Sequence, residues 1–216
     1  MRMRPRVVVN CAMSADGKIA LSSRRQTRIS SDADMARVHR LRNGCDAILV
    51  GVETVLCDDP GLLVKAKFVK KVRQPLRVIL DSRGRTPPNA KAVSPDGRTL
   101  IAVAGNSSTN RWGPNVEVVP AGPGPKVSIP VLLEELGRRG IRSVLVEGGG
   151  ETIWSFLRAG VVDRLTIYVG SLALGGNGPT PCGGEGVRSL EEAVRLRLAS
   201  ARKLGGGILL VYEPMR

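Results

Sequence analysis

Ser143–Leu157 reads SVLVEGGGETIWSFL, and the rest of the chain is read outward from it. Ser143–Val146 is a short apolar run with two β-branched valines, the length of a buried strand and too short for a helix. Glu147 follows, then Gly148, Gly149 and Gly150, then a segment whose apolar Ile153, Trp154 and Leu157 have the spacing of a helix face. Strand, glycine run and helix start form the arrangement in which backbone N–H groups receive a phosphate. Glycine removes the side chains that would hold a pyrophosphate off the backbone. Three glycines also make a plain turn, and the triplet alone does not separate the two readings. Glu147 at the strand's end and Thr152 just inside the helix, both able to hydrogen-bond a ligand, favour the binding reading. The pattern is not G-x-G-x-x-G, since glutamate stands at position 151 and isoleucine at 153. An ordinary dinucleotide-binding Rossmann domain is therefore not the first reading.

The chain has 216 residues, enough for one sizeable domain with a full core or at most two small ones. Its 42% hydrophobic and 24% charged content place it among soluble globular proteins. No apolar run approaches the roughly 20 residues that span a bilayer. MRMRPRVVVN lacks an apolar signal-peptide core, so no membrane partner is expected and the cytoplasm is the expected location. Cys11, Cys45, Cys57 and Cys182 lie far apart without a C-x-x-C pair or a histidine cluster, so no metal site is expected. The net charge of +14 fits a nucleic-acid surface, phosphorylated small ligands steered by a positive field, or a solvated surface. The basic residues are dispersed, and two each of Trp, Tyr and Phe are too few for a base-stacking platform. No nucleic-acid partner is expected.

Taken in order, Arg6–Ala12 (RVVVNCA) reads as a buried central strand, in which Asn10 needs a buried partner or a ligand to face. Asp16-Gly17 then marks a turn, with Lys18 at the carboxyl end of that strand, where open α/β sheets bind ligands. A plain surface lysine is the usual reading of such a residue. Ser30 or Ser31 caps a helix running to about Asn43, with Met35, Val38 and Leu41 as its buried stripe. His39 has no evident partner in the sequence and reads as a partly exposed helix residue rather than a catalytic base. Ala47–Val50 is a strand running into GVETVLCDDPGLLVK, where Thr54 and Asp58 share one helical face. Spacing alone favours a structural capping role for that pair. Arg77–Leu80, Leu100–Ala104 and Val116–Val119 read as further strands, and Ile129–Arg139 as an amphipathic helix. Arg164–Gly170 alternates as a strand should, and residues 171–189 form a glycine-rich loop near the site or an interface. Ala199–Leu204 and Gly207–Tyr212 read as a terminal hairpin. No repeat or domain-sized linker appears, so residues 1–216 read as one α/β domain.

Four ordered motifs carry a resemblance: NCAMSADGKIA, DAILVGVETVLCDDPGLLVK, RVILDS and VEGGGETIWSFL. Together they resemble the riboflavin-biosynthesis pyrimidine reductases over essentially the whole chain. That resemblance implies an α/β fold of the dihydrofolate-reductase-like type, a mixed, mostly parallel central sheet flanked by helices. It also implies the stand-alone archaeal form, with no zinc deaminase domain preceding it. The implied reaction reduces the ribosylamino group of 2,5-diamino-6-ribosylamino-4(3H)-pyrimidinone 5′-phosphate to ribitylamino, with NADPH giving hydride to C1′ and NADH left open. The deaminated substrate differs by one exocyclic group and is not separated from the diamino one.

Carried over position by position, the resemblance implies cofactor contacts at Met13, Thr27, Thr54, Asp58, Ser82, Gly148, Gly149, Gly150, Glu151 and Thr152. It implies substrate contacts at Arg42, Leu62, Lys65 and Glu147; Asn10, from its polar place in an apolar strand rather than from the resemblance, is a further candidate to face the substrate. Lys65 stands where arginine is common in bacterial relatives, and it would hold a phosphate as a point charge without the bidentate fork. Opening the ribosyl ring as an imine requires proton management, for which Lys18 and Glu147 are the expected catalytic pair. Arginines in the 83–85 and 106–111 loops lean toward NADPH through its 2′-phosphate. Ile208–Val211 are expected to pair across a homodimer, or equally to form a buried core strand. The rival readings are a dihydrofolate-type reductase on the same fold and a basic RNA-binding protein.

Overall fold

The computed structural model describes residues 4–23, 27–105 and 111–215. Residues 106–110 of the second arginine-bearing loop lie outside the described residues. The elements run β1 (Arg6–Ser14), α1 (Asp32–Gly44), β2 (Ala47–Gly51), α2 (Val52–Asp58), β3 (Leu76–Leu80), β4 (Thr99–Val103), β5 (Val116–Pro120), α3 (Ile129–Arg138) and β6 (Ser143–Val146), followed by α4 (Gly150–Arg158), β7 (Arg164–Gly170), β8 (Leu196–Leu204) and β9 (Gly207–Pro214). The nine strands make a mixed, mostly parallel sheet with four helices among the described residues. Each strand expected from apolar runs is present within a few residues of its expected bounds. Among the described residues no helix is long and apolar enough to cross a membrane.

The chain divides into two compact units, each built from discontinuous segments. The first comprises Met1–Arg6 and His39–Leu145. Its strands follow the order β5-β4-β3-β2-β6, with β2, β3, β4 and β5 paired in parallel. Parallel strands covered on both faces are continuous apolar runs rather than alternating ones, and every residue of β2 and β4 is buried. Ile48, Val50, Ile79, Ile101 and Val103 pack with Val52 and Val55 of α2 and with Leu62, Ala92 and Val93 into one core cluster. Arg77 is fully buried in β3 and donates to the carbonyls of Lys91, Ser94 and Gly97, which pins the 91–97 segment.

The second unit comprises Val7–Val38 and Val146–Arg216. Here β1 pairs with β7 in parallel, β7 with β9 antiparallel, and β9 with β8 antiparallel. β8 is the last strand in the order, and its residues are exposed almost throughout.

Three sequence expectations change. His39 is 1% exposed, not partly exposed, because its ring stacks on Phe68 at a centroid distance of 4.5 Å. The buried residues of α1 include Asp34, Arg37 and His39 beside Val38, while Met35 and Leu41 are only half-buried. Apolar spacing finds a helix face only where that face is apolar, and this one is mainly polar. In α4 the buried side chains are Ile153, Phe156 and Leu157. Trp154 is half-buried and its indole N–H donates to the Glu185 carbonyl at 2.7 Å.

Candidate active site

In the first unit, β2 ends at Gly51, which is also the residue preceding the first turn of α2. α2 then carries Thr54 and Asp58 one turn apart, the carboxylate in the last turn. Neither is a cap: the N-terminal cap position is Gly51 without a side-chain bond, and the C-terminal one is Asp59 in the left-handed region at φ 42°. Asp58 Oδ1 is buried and has no hydrogen-bond partner among the described residues, and burial raises the carboxyl above its ordinary range. A buried, unpartnered carboxylate oxygen in the last turn of α2 is an acceptor available to a ligand donor.

The segment 62–65 after α2 is held tightly. Leu62 is buried at φ 53°, a backbone conformation that costs a non-glycine residue about 1–2 kcal/mol. The Gln74 side chain bonds both the N–H and the C=O of Val64, at 2.8 and 3.0 Å. Arg42 donates to the Leu63 carbonyl at 3.2 Å, and His39 Nδ1 accepts the Lys65 N–H at 3.3 Å. The Lys65 residue itself is exposed. A fixed backbone thus carries a solvent-reaching cation.

At the end of β3, Ser82 Oγ accepts the Val127 N–H at 3.0 Å. Its neighbour Asp81 is fully buried, with Oδ2 accepting from the Thr86 N–H and hydroxyl while Oδ1 has no partner among the described residues. Arg85 is paired with Glu53. Arg111 donates to the Gly84 and Thr86 carbonyls and lies over the Trp112 ring. Arg83 is exposed and forms no ion pair among the described residues.

In the second unit, the turn after β1 is closed by Ser14 N–H to Lys18 C=O (2.8 Å) and Lys18 N–H to Ser14 Oγ (2.9 Å). Ser14 Oγ–H donates to Asp16, which also accepts the Leu174 and Gly175 N–H groups. The Ser14 bond, then the two backbone bonds, hold the Asp16 carboxyl well below the usual range. Gly17 sits at φ 80°, the left-handed position this turn requires. Met13 lies near the end of β1 and Thr27 in the segment before α1, both half-buried.

The glycine run follows β6. Glu147 is half-buried, Gly148 adopts φ 137°, Gly149 is the cap position of α4, and Gly150, Glu151 and Thr152 form its first turn. The glycine-rich segment after β7 lies against this turn. A Cβ on Gly150 would stand 2.4 Å from the Thr180 carbonyl and 3.1 Å from the Gly183 nitrogen. The same segment meets the Lys18 turn, where the Ile19 N–H donates to the Pro179 carbonyl and the Lys18 Cδ lies 3.6 Å from a Cβ built on Gly178. Of the expected residues, Lys18 and Gly150 are therefore brought beside one loop. The role of Gly150 in seating that loop was not readable, because residues 180–183 lie about 30 positions away in sequence. Asp34 and Arg37 also escaped the sequence reading, which sought only apolar periodicity in α1.

Solved structures share this architecture. The chain is similar to the Thermotoga maritima diaminohydroxyphosphoribosylaminopyrimidine deaminase/5-amino-6-(5-phosphoribosylamino)uracil reductase, with a TM-score of 0.84 and 26% identity, covering 98% of this chain and 57% of that one. It thus spans little more than half the length of that chain. It is also similar to the riboflavin biosynthesis reductase of Saccharomyces cerevisiae, with a TM-score of 0.78 and 25% identity, covering 98% and 90%. The fold is that of the dihydrofolate-reductase-like reductase domains. Among curated proteins, the 2,5-diamino-6-ribosylamino-4(3H)-pyrimidinone 5′-phosphate reductase of Methanothermobacter thermautotrophicus is 37% identical over 214 residues, 97% of this chain and 98% of the relative. The enzyme of the same name from Archaeoglobus fulgidus is 44% identical over 194 residues, 85% of this chain and 88% of the relative. The RibD C-terminal domain model matches residues 5–210, and the chain belongs to that family.

Proposed function

We propose that this protein is the reductase that converts 2,5-diamino-6-ribosylamino-4(3H)-pyrimidinone 5′-phosphate to its ribitylamino product with NADPH, acting as one catalytic domain in the cytoplasm. The observation that carries this reading is the similarity to the Methanothermobacter reductase along nearly the full length of both chains. The residues present fit a nicotinamide cofactor: Asp58 offers an unpartnered acceptor oxygen to a hydroxyl of the nucleotide, and the α4 start offers backbone donors. Met13, Thr27, Thr54, Asp58, Ser82 and Gly148 to Thr152 would hold NADPH, which supplies hydride when bound. Arg83, exposed beside the engaged Arg85 and Arg111, is the residue assigned to its 2′-phosphate.

For the substrate, Arg42, Leu62 and Lys65 bind the phosphorylated sugar, with Lys65 acting as a point charge. Lys18 and Glu147 hold and move the proton that ring opening requires, Glu147 at the ribose hydroxyls and Lys18 at the charge developing there. A homodimer joined through the terminal hairpin is supported by the exposed β8 and by Leu198 and Ile208, which are 53% and 45% exposed. No nucleic-acid or membrane partner is part of this reading.

The test is NADPH oxidation, followed by nicotinamide absorbance, with the diamino and deaminated ribosylaminopyrimidine phosphates and with dihydrofolate. Turnover of the diamino compound is expected, with NADPH favoured over NADH. Turnover of dihydrofolate alone would overturn the reading in favour of the rival reductase.

A further inference from the structure

β1 carries two buried polar side chains, Asn10 and Ser14, 6% and 0% exposed. Asn10 accepts from Arg37 at 2.7 Å, and that guanidinium is paired with the buried Asp34. Ser14 ends the strand and opens the turn that carries Lys18. Its hydroxyl lies 2.6 Å from Asp16 Oδ1 and 2.9 Å from the Lys18 nitrogen. A carboxylate has no hydrogen to give, so the serine hydrogen points at Asp16 and a serine lone pair at the Lys18 N–H. Asp16 therefore sets the direction of the hydroxyl that holds the Lys18 backbone.

The same carboxylate reaches across to the segment after β7. Its Oδ1 also accepts the Leu174 N–H at 3.0 Å, and Oδ2 accepts the Gly175 N–H at 2.7 Å. On either side, the Ala15 N–H donates to the Leu172 carbonyl and the Ile19 N–H to the Pro179 carbonyl, both at 2.8 Å. This alignment brings Gly178 against the lysine stem. A Cβ built there would stand 3.6 Å from Lys18 Cδ and 2.6 Å from the Ala20 carbonyl, so the stem lies where no further side chain fits. The far end of the segment is held separately, by Trp154 donating to the Glu185 carbonyl and by the close approach of Thr180 to Gly150. Release at Asp16 thus reaches Lys18 without unseating the loop from α4.

We propose that Asp16 is a positioning residue for Lys18, fixing its backbone through Ser14 and its stem through residues 174–178. This rests on the catalytic assignment of Lys18 above. Asp16 touches neither substrate nor cofactor and acts on the reaction only by where it puts the lysine.

Asp16→Ala is expected to lower kcat about tenfold or more, with substrate KM and NADPH Kd within about threefold of wild type. Asp16→Asn keeps an oxygen for Ser14 and Leu174 but turns an amide group toward the Gly175 N–H, so its kcat should fall between the two. A double-mutant cycle gives the readout that a merely structural role would not move. In a Lys18→Ala enzyme, adding Asp16→Ala should change kcat by less than about twofold, because the lysine that Asp16 places is already gone. Wild-type kcat in folded Asp16→Ala, or losses that multiply in the double variant, would overturn the inference. Where Lys18→Ala is too slow to measure, the split decides: a loss confined to kcat supports the proposal, and an equal loss in KM or NADPH Kd overturns it. Should Asp16→Ala fail to fold, Asp16→Asn takes its place in both measurements. A Lys18→Ala enzyme with wild-type kcat would instead overturn the assignment of Lys18, and a wild type inactive on the pyrimidine substrates would overturn the reductase reading.

Discussion

His39 accepts the backbone N–H of Lys65 through Nδ1, from a ring stacked on Phe68 within 10° of parallel. A residue of α1 thereby sets the position of an exposed lysine 26 positions later. Removing the ring frees the loop without touching the ammonium group. His39→Ala is expected to cost about 2–4 kcal/mol of stability, as other large buried truncations do. At a temperature where the variant is folded, substrate KM should rise several-fold while the NADPH Kd stays near wild type. Steady-state kinetics with substrate and nicotinamide varied separately will check this, and an equal rise in both constants would count against a role confined to the 62–65 loop.

Asp58 carries an acceptor that the fold leaves unsatisfied, and its carboxyl is raised by burial. A raised carboxyl means that ionisation opposes folding: the penalty is fully present above the folded-state pKa and vanishes as pH falls below the unfolded-state value. Asp58→Asn removes that penalty. Its Tm should equal or exceed wild type, with the difference growing as pH rises from the acid range to neutrality, while NADPH binding weakens about tenfold or more. Thermal melts across pH paired with nucleotide titration test both halves.

Asp46 is the opposite case. Burial pushes its carboxyl up, but the Arg142 N–H, the Ser143 hydroxyl and Arg73 outweigh burial, and the carboxyl titrates below its ordinary range. The stability this contributes is present above the ordinary carboxylate pKa and is lost as pH falls through the lowered folded-state value. Asp46→Asn should cost about 1–3 kcal/mol at neutral pH, measured by denaturant unfolding, and the deficit should shrink in acid. Turnover per folded molecule should not change.

Gly150 has no room for a methyl group, because the Thr180 carbonyl lies where its Cβ would be and a backbone atom cannot swing aside. Gly150→Ala is expected to displace the 178–184 segment from α4. Faster proteolysis in that segment and a fall in kcat/KM of about tenfold or more should accompany an unchanged far-ultraviolet circular dichroism spectrum.

The strands were legible because burial on both faces leaves a direct trace in composition: ILV runs in β2, β4 and β6 have no periodicity to misread. α3 was legible because Leu132, Leu133 and Leu136 recur at helical spacing on its buried side. α1 resisted the same method, since much of its buried side is an ion pair and an imidazole. Trp154 misled it for the converse reason: an indole is counted apolar, yet its N–H sought the Glu185 carbonyl.

By itself, the sequence determined the order of strands and helices, the turn at Asp16-Gly17, the glycine run after β6 and the four motifs that mark the family. These depend on neighbours within a few positions, where propensity and spacing act. Tertiary structure alone decided that Arg37 holds Asn10, that His39 holds Lys65, and that Thr180 closes on Gly150. Each is a pairing of polar or backbone atoms brought together over 26 to 30 residues, and hydrogen-bond partners, unlike apolar faces, leave no period in a sequence.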